Sequence, residues 1–305
     1  MLCRKCKGKA VINLRQYNLP LCREHFIERY ISVVEDTIKS FRMFSRNDKV
    51  LVAVSGGKDS LALWYVLKKL GYNVTGLYIN LGIENEKGDE GYSNRSERCC
   101  RNLAEKIGSE LIVENVYQKY GSPAPLLDKN RAPCSVCGIT KRHIMNEVAK
   151  RYGFDVVATG HNLDDEVATL LSNVLRWDEE YLKRQYPVLP AEDGFSKKVK
   201  PLVYLTEKEN LAFCIFEGIE FYHEECPFSK DATSIFMKNI WAQIEDRMPG
   251  SKIRFFKEFL EFRKKFLSQE ERKNLGKCSI CGQPTTAGDI CAFHRIISKI
   301  KVQHN

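Results

Sequence analysis

Residues 49–63 read Lys-Val-Leu-Val-Ala-Val-Ser-Gly-Gly-Lys-Asp-Ser-Leu-Ala-Leu, and no other stretch limits the fold as tightly. Val50–Val54 is a short, unbroken, mostly β-branched run, the pattern of a parallel strand buried on both faces. Ser55, Gly56 and Gly57 follow at once. Asp59 and Ser60 then open an amphipathic segment with apolar Leu61, Leu63, Trp64, Leu67 and Leu70, ending at Gly71. Strand, glycine turn and helix start in succession present free backbone N–H groups and the positive end of a helix dipole to an anion. Two glycines let the backbone approach a phosphate unobstructed, and Lys58 adds a point charge. The common P-loop is excluded, because it needs glycine, four residues, then Gly-Lys-Ser/Thr. Here Val52 stands five residues before Gly57, and Asp59 follows Lys58. The plainer alternative is a turn that only joins strand to helix.

At 305 residues the chain can hold one large core with appendages, or two domains. No apolar run approaches a membrane span and the N-terminus lacks a signal-type apolar region, so a cytoplasmic protein without a membrane partner is expected. Twelve cysteines in such a chain point to metal or sulfur chemistry rather than disulfides. The net charge of +9 is uneven: residues 1–49 and 252–305 are strongly basic, and the middle is slightly acidic. Basic ends around a near-neutral centre suit a polyanion, although solvated surface charge would look the same.

Both ends carry paired metal-type ligands. Cys3-x2-Cys6 is followed by Cys22-x2-His25, and Cys278-x2-Cys281 by Cys291-x2-His294. Ligands two residues apart on a tight knuckle suit one tetrahedral ion, and four protein ligands leave no open position, so two structural Zn2+ sites are expected. His304 is a weaker fourth ligand for the second. The segment between the first two pairs has too few apolar residues to fold unaided, and a metal would supply its stability.

Between the ends, Phe26–Phe44 carries a helical stripe of Tyr30, Val33, Val34, Ile38 and Phe41. Strands are expected at Val74–Asn80, Leu111–Val116, Asp155–Thr159 and Ile219–Tyr222. A loop after the second strand, Leu81–Tyr92, lies where ligands bind in an open α/β sheet. Cys134-Ser-Val-Cys137 ends a proline-rich loop and precedes a helix near Ile139–Tyr152. Cys226, in Glu-Glu-Cys-Pro-Phe-Ser, is the only other cysteine in a comparable loop. Three cysteines could hold an iron–sulfur cluster with one iron left open, form a redox pair, act as persulfide carrier and resolving thiol, or be an ordinary buried pair. Spacing does not choose among them.

After the fourth strand comes Gly160-His161-Asn162-Leu163-Asp164-Asp165-Glu166. Its carboxylates could hold Mg2+ or orient a reacting group, or Asp164 could be a helix N-cap. His161 is as readily structural as catalytic. Thr206-Glu-Lys-Glu209 is a capping box for a helix to about Phe216. Two helices follow, near Ser234–Arg247 and Lys252–Phe266, parted by Pro249-Gly250. The second sets five phenylalanines against Arg254, Lys257, Arg263, Lys264 and Lys265, read as a core face and a basic, RNA-facing one.

Ser55–Ser60, Cys134-x2-Cys137 with Cys226, the Gly160–Asp165 stretch and the cysteine-rich ends together resemble the tRNA 2-thiouridine synthetases, the TtcA/TtuA family of PP-loop ATP pyrophosphatases. The similarity runs over nearly the whole chain. It implies an α/β fold, an open parallel sheet of the Rossmann-like PP-loop type (adenine nucleotide alpha hydrolase-like), with zinc-binding modules at both ends. The implied division is 1–30 for the first module, 31–248 for the catalytic domain, and 249–305 for a helical linker and the second module. The implied activity is ATP-dependent adenylation and 2-thiolation of a tRNA uridine, most simply the T-loop ribothymidine at position 54, by a sulfurtransferase. The alternatives are the wobble uridine at position 34, a non-catalytic zinc-ribbon RNA-binding protein, or an amidotransferase lacking any glutaminase domain.

By the same resemblance, Ala53, Ser55, Gly56, Gly57, Lys58, Asp59, Ser60, Gly160 and Asp165 would bind ATP with Mg2+. Lys141, Asp165 and Asp59 would be catalytic, and Cys134, Cys137 and Cys226 would ligate a [4Fe–4S] cluster. The implied partners are tRNA, a ubiquitin-like sulfur-carrier protein with a C-terminal thiocarboxylate, and a second copy in a homodimer.

Overall fold

The computed structural model describes residues 1–305 apart from 85–90, 192–193, 230–232, 268–275, 287 and 304–305, so His304 lies outside the described residues. The chain opens with a hairpin, β1 (Ile12–Leu14) and β2 (Leu19–Leu21), and helix α1 (Arg23–Ser40). Then come β3 (Val50–Val54), α2 (Lys58–Lys69), β4 (Val74–Asn80), α3 (Tyr92–Ile107), β5 (Leu111–Asn115) and the short α4 (Val116–Tyr120). The second half of the sheet uses α5 (Pro133–Arg151), β6 (Val156–Thr159), α6 (Leu163–Arg176), α7 (Glu179–Arg184), β7 (Val188–Leu189), β8 (Lys197–Val199) and α8 (Glu207–Glu217). Helices α9 (Thr233–Arg247) and α10 (Ser251–Phe266) precede a two-stranded module of β9 (Gly276–Lys277), β10 (Pro284–Thr285) and α11 (Ala292–Gln303).

The central sheet runs β5-β4-β3-β6-β8-β7, parallel throughout except for β7 against β8. The chain leaves β3 for β4 and β5 on one side and returns to β6 on the other. The carboxyl ends of β3 and β6 therefore flank the crevice where such sheets bind ligands. Alternation along β3 explains its uninterrupted apolar run. Val50, Val52 and Val54 face a core shared with α1, α2, α3 and α8, while Leu51 faces a second core with Ile144 and Val148 of α5. A third cluster packs Leu163, Val167 and Leu170 of α6 against Trp241 and Phe256. No helix of the described residues is long and apolar enough to cross a membrane.

Three local expectations are corrected. Ile219–Tyr222 forms no strand, because no neighbouring strand is there to pair with it; Tyr222 N–H instead donates to Gly56 O at 2.8 Å. The sheet's outer half uses β8, which pairs with β6 despite two consecutive lysines. The Cys134-x2-Cys137 motif lies within α5 rather than before it, because Pro133 at the first position sets a helical φ and needs no N–H there. On α10 the basic residues do not form one solvent face. Arg263 is buried, donates through Nε to Lys183 O at 2.9 Å and lies over Tyr186, whereas Phe262 and Phe266 are exposed.

Candidate active site

The loop after β3 is shaped by Ser60, whose buried hydroxyl accepts from Ser55 N–H at 3.0 Å and donates to Gly57 O at 3.1 Å. Gly56 has φ +79°, and a Cβ there would lie 2.5 Å from Ser96 O, so only glycine fits. Gly57 caps α2 without a side-chain hydrogen bond, leaving the first-turn N–H groups free for an anion. Ala53, beneath the loop, is paired in register with Thr159 of β6. Across the crevice Gly160 touches the loop directly, since a Cβ on it would stand 2.8 Å from Ser60 N.

Asp59 holds the loop in place. Its Oδ1 accepts from Asn162 Nδ2 at 3.0 Å and Asn210 Nδ2 at 2.7 Å, and its Oδ2 from Lys58 at 3.0 Å. Asn210 is anchored in turn by buried Tyr30, whose hydroxyl donates to Oδ1 at 2.8 Å. One carboxylate thus ties α2 to α6, α8 and α1. Burial lowers the Lys58 ammonium's pKa, but Asp59 and Glu207 overcome this and raise it.

The second wall is the start of α6. Asn162, not Asp164, is the N-cap, in a full capping box with Asp165. Asp164 turns away to buried Lys252 and accepts from Glu207 N–H. Asp165 spends Oδ2 on Asn162 N–H and points Oδ1 at Lys238, 2.5 Å away, which also meets Glu207 at 2.5 Å. Burial disfavours the Asp165 carboxylate, yet Lys238 and His161 hold its pKa below the ordinary value. His161 sits with Nδ1 2.8 Å from Thr159 Oγ1, and burial and Lys200 lower its pKa. Glu166 pairs with Lys200 at 2.6 Å, and its other oxygen has no partner among the described residues.

Three thiols border the same crevice. Cys134 and Cys137 lie within the first five residues of α5, and Cys226 follows four residues after Tyr222, the residue bonded to Gly56. Cys134 Sγ faces Phe228 O at 3.5 Å, beside the turn in which Ser229 N–H donates to Cys226 O. Burial raises the Cys137 thiol to about 11 and pushes Cys226 up as well; the neighbouring thiols add to this, while Lys141 opposes it in both. Lys141 is exposed on the same helix, four residues after Cys137, and makes no ion pair among the described residues. The three sulfurs form no single-ion group among the described residues, but Cys134 is exposed and no fourth cysteine joins them. Such a donor set suits a cluster wider than one ion, with one position left to solvent. Cys100 and Cys214 are buried beside the loop with raised pKa values, and Cys214 donates to Lys58 O at 3.4 Å; both are inert packing thiols.

At the N-terminus, Cys3, Cys6, Cys22 and His25 bring their ligand atoms within 4.8 Å of one another, with Cys22 Sγ 3.1 Å from His25 Nδ1. Burial opposes the Cys3 thiolate, but N–H groups of Cys22, Cys6 and Lys5 bring its pKa down to about 6, while the neighbouring thiols help to push Cys22 up. At the C-terminus, Cys291 Sγ lies 3.3 Å and Cys278 Sγ 3.8 Å from His294 Nδ1, and Cys291 N–H donates to Cys278. The donor atoms that lie within 4.8 Å of one another here are those of Cys281, Cys291, His294 and, in place of the expected Cys278, His143 of α5.

The sequence motifs did not reveal Asn210, Lys238, Glu207 or Lys200, which reach the crevice from α8, α9 and the chain after β8. Asn162 could have been found, since it stands three residues before Asp165 in an N-capping pattern.

A family profile described as a PP-loop domain matches residues 26–233, and one described as the N-terminal LIM domain of 2-thiouridine synthetase TtuA matches residues 2–27. A tRNA-5-methyluridine(54) 2-sulfurtransferase of Thermus thermophilus is 45% identical over 97% of this chain and 91% of its own. One from Pyrococcus horikoshii is 42% identical over 96% and 92%. Among solved structures, the U34-tRNA thiolase NcsA from Methanococcus maripaludis with its [4Fe-4S] cluster superposes with a TM-score of 0.81 at 26% identity, over 98% of this chain and 96% of that one.

Proposed function

The chain belongs to the PP-loop domain family and, within it, to the tRNA-5-methyluridine(54) 2-sulfurtransferases, and from this we propose that it adenylates and 2-thiolates the ribothymidine at position 54 of tRNA. A carbonyl oxygen is a poor leaving group, and adenylation turns it into AMP. The uridine O2 attacks the α-phosphorus of ATP, the bond to the β-phosphate oxygen breaks, and pyrophosphate departs. Sulfide then attacks C2, and AMP leaves with the former O2. The free N–H groups of Gly56 and Gly57, with Ser55, Ser60 and Lys58, hold the departing pyrophosphate. Asp59 positions that loop rather than reacting. Lys141 stabilises negative charge on the reacting group, and Asp165 takes Mg2+ or a proton once Lys238 turns to a phosphate.

Cys134, Cys137 and Cys226 would hold a [4Fe–4S] cluster, which supplies a Lewis-acidic iron free of protein ligands. The observation that carries this reading is the Tyr222–Gly56 backbone bond, which joins the Cys226 segment to the anion loop and supports a shared crevice for oxygen activation and sulfur delivery. The flanking modules, each with structural Zn2+, and the basic ends grip tRNA. A ubiquitin-like thiocarboxylate carrier as donor, a homodimer, a cytoplasmic setting and working units of 1–30, 31–248 and 249–305 complete the proposal.

The test is nucleoside mass spectrometry with position mapping on tRNA incubated anaerobically with iron-reconstituted protein, Mg-ATP and sulfide. Thiolation at position 54, lost in Cys134→Ala, is expected. A second reading, thiolation of the wobble uridine at position 34, rests on the likeness to a U34 thiolase, and a thiolated base found there would replace the first. No thiolated base and no AMP, with tRNA retained, would leave an RNA-binding module.

A further inference from the structure

The two terminal modules repeat one ligand pattern, but only the second has a donor to spare. In the first, all four donors come from one local segment, Cys3 to His25. In the second, Cys281, Cys291 and His294 share their surroundings with two further donors. One is Cys278, from the module itself, 3.8 Å from His294 Nδ1. The other is His143, on the core helix α5, whose ring donor lies within 4.8 Å of the ligand atoms of Cys281, Cys291 and His294. A structural zinc takes four ligands. Three corners are settled, and two residues contest the fourth.

His143 is buried and held for this contest. Its ring stacks on Phe293 at 4.0 Å and 13°, and meets His294 edge-on at 5.2 Å. Its backbone carbonyl accepts from Gln283 Nε2, inside the module, at 3.2 Å. The module is docked around this contact, with Ile296 buried against α5 and Lys299 paired to Asp128 at 3.1 Å. Stacking on phenylalanine would explain a core histidine; it would not require a ring nitrogen among three metal ligands.

We propose that His143 is an exchangeable fourth ligand of the C-terminal metal, taking the Cys278 corner when that thiolate is lost. The exchange breaks the metal–Sγ bond, forms a metal–imidazole bond, and leaves Cys278 to take up a proton. The ion then ties the module directly to α5, the helix that carries Cys134, Cys137 and Lys141.

The test uses the full, iron-free chain loaded anaerobically with Co2+, whose thiolate charge-transfer absorption counts sulfur ligands. The N-terminal site, unaltered throughout, is the internal reference. Unaltered protein and His143→Gln should each bind two Co2+ with the full thiolate intensity. Cys278→Ser should still bind two, with one thiolate fewer. Cys278→Ser/His143→Gln should bind its C-terminal ion more weakly than Cys278→Ser, by at least on the order of a hundredfold. A Cys278→Ser chain holding one ion, or equal affinities with and without His143, would overturn the proposal. Zinc release to a chelator needs no Cys278 variant. His143→Gln should release the C-terminal zinc roughly tenfold faster with the N-terminal rate unchanged, and equal rates would also overturn it.

Discussion

The two sides of the crevice are built in opposite ways. On the nucleotide side, loop atoms are tied by serine hydroxyls, by glycine contacts with no room for a Cβ, and by Asp59, which collects bonds from two asparagines and a lysine. On the sulfur side, Cys134 is exposed and its one polar contact among the described residues is a 3.5 Å approach to a carbonyl. A site for an anion can be prebuilt, because N–H groups and a helix dipole are already present in the fold. Thiols whose pKa values are raised by burial are poised only when something binds them. The nucleotide side should therefore fail through the fold, and the sulfur side through chemistry alone.

The sharpest way to break this contrast is Gly56→Ala. A forced left-handed residue with its Cβ on Ser96 should cost roughly 3 kcal/mol in urea unfolding and abolish ATP-dependent AMP release. A variant of unchanged stability would show the loop to be more compliant than the Ser96 contact allows. Asp59→Ala comes next. Leaving Asn162 and Asn210 without their acceptor should remove about 2 kcal/mol, whereas Cys134→Ala should leave the urea midpoint unchanged while eliminating thiolation. If Cys134→Ala destabilised the chain as much as Asp59→Ala, the two sides would not differ in kind. Removing metal extends the comparison to the modules. Cys3, Leu14, Leu21 and Cys22 belong to the main core, so losing the N-terminal ion by Cys6→Ser should lower Tm more than losing the C-terminal one by Cys281→Ser, read by thermal unfolding with metal counted.

The smallest effect is the pH dependence of the Asp165–Lys238 pair. The folded state lowers the Asp165 pKa, so its contribution is complete above the unfolded value near 3.9 and fades as pH falls through the folded value. A double-mutant cycle with Asp165→Asn and Lys238→Met should give a coupling of about 1 kcal/mol at pH 7 that shrinks as the pH falls through the folded value of Asp165. A coupling that persists where Asp165 is shown by NMR titration to be protonated would exclude the ion pair as its source.

Local signals were readable where one segment supplies the whole reason for its structure. The run Val50–Val54 gives a strand because every face is apolar, and Thr206 with Glu209 gives a helix start because both bonds close within four residues. Ile219–Tyr222 looks like a strand but lacks a partner, and β8 looks like none but has one in β6. Strand pairing is a property of neighbours, so neither outcome could be read from the segment.

By itself, the sequence determined the anion loop, the four grouped donors of the N-terminal knuckle, three of the four at the C-terminal end, and the thiols and carboxylates that could serve the crevice, since each rests on residues a few positions apart. Only the tertiary structure decided how they act together. It brought Asn210 and Asn162 onto Asp59, Lys238 onto Asp165, Tyr222 onto Gly56 and His143 into the second metal site. These contacts span large separations in the chain, and the order of strands in the sheet, not the chemistry of any one segment, makes them neighbours.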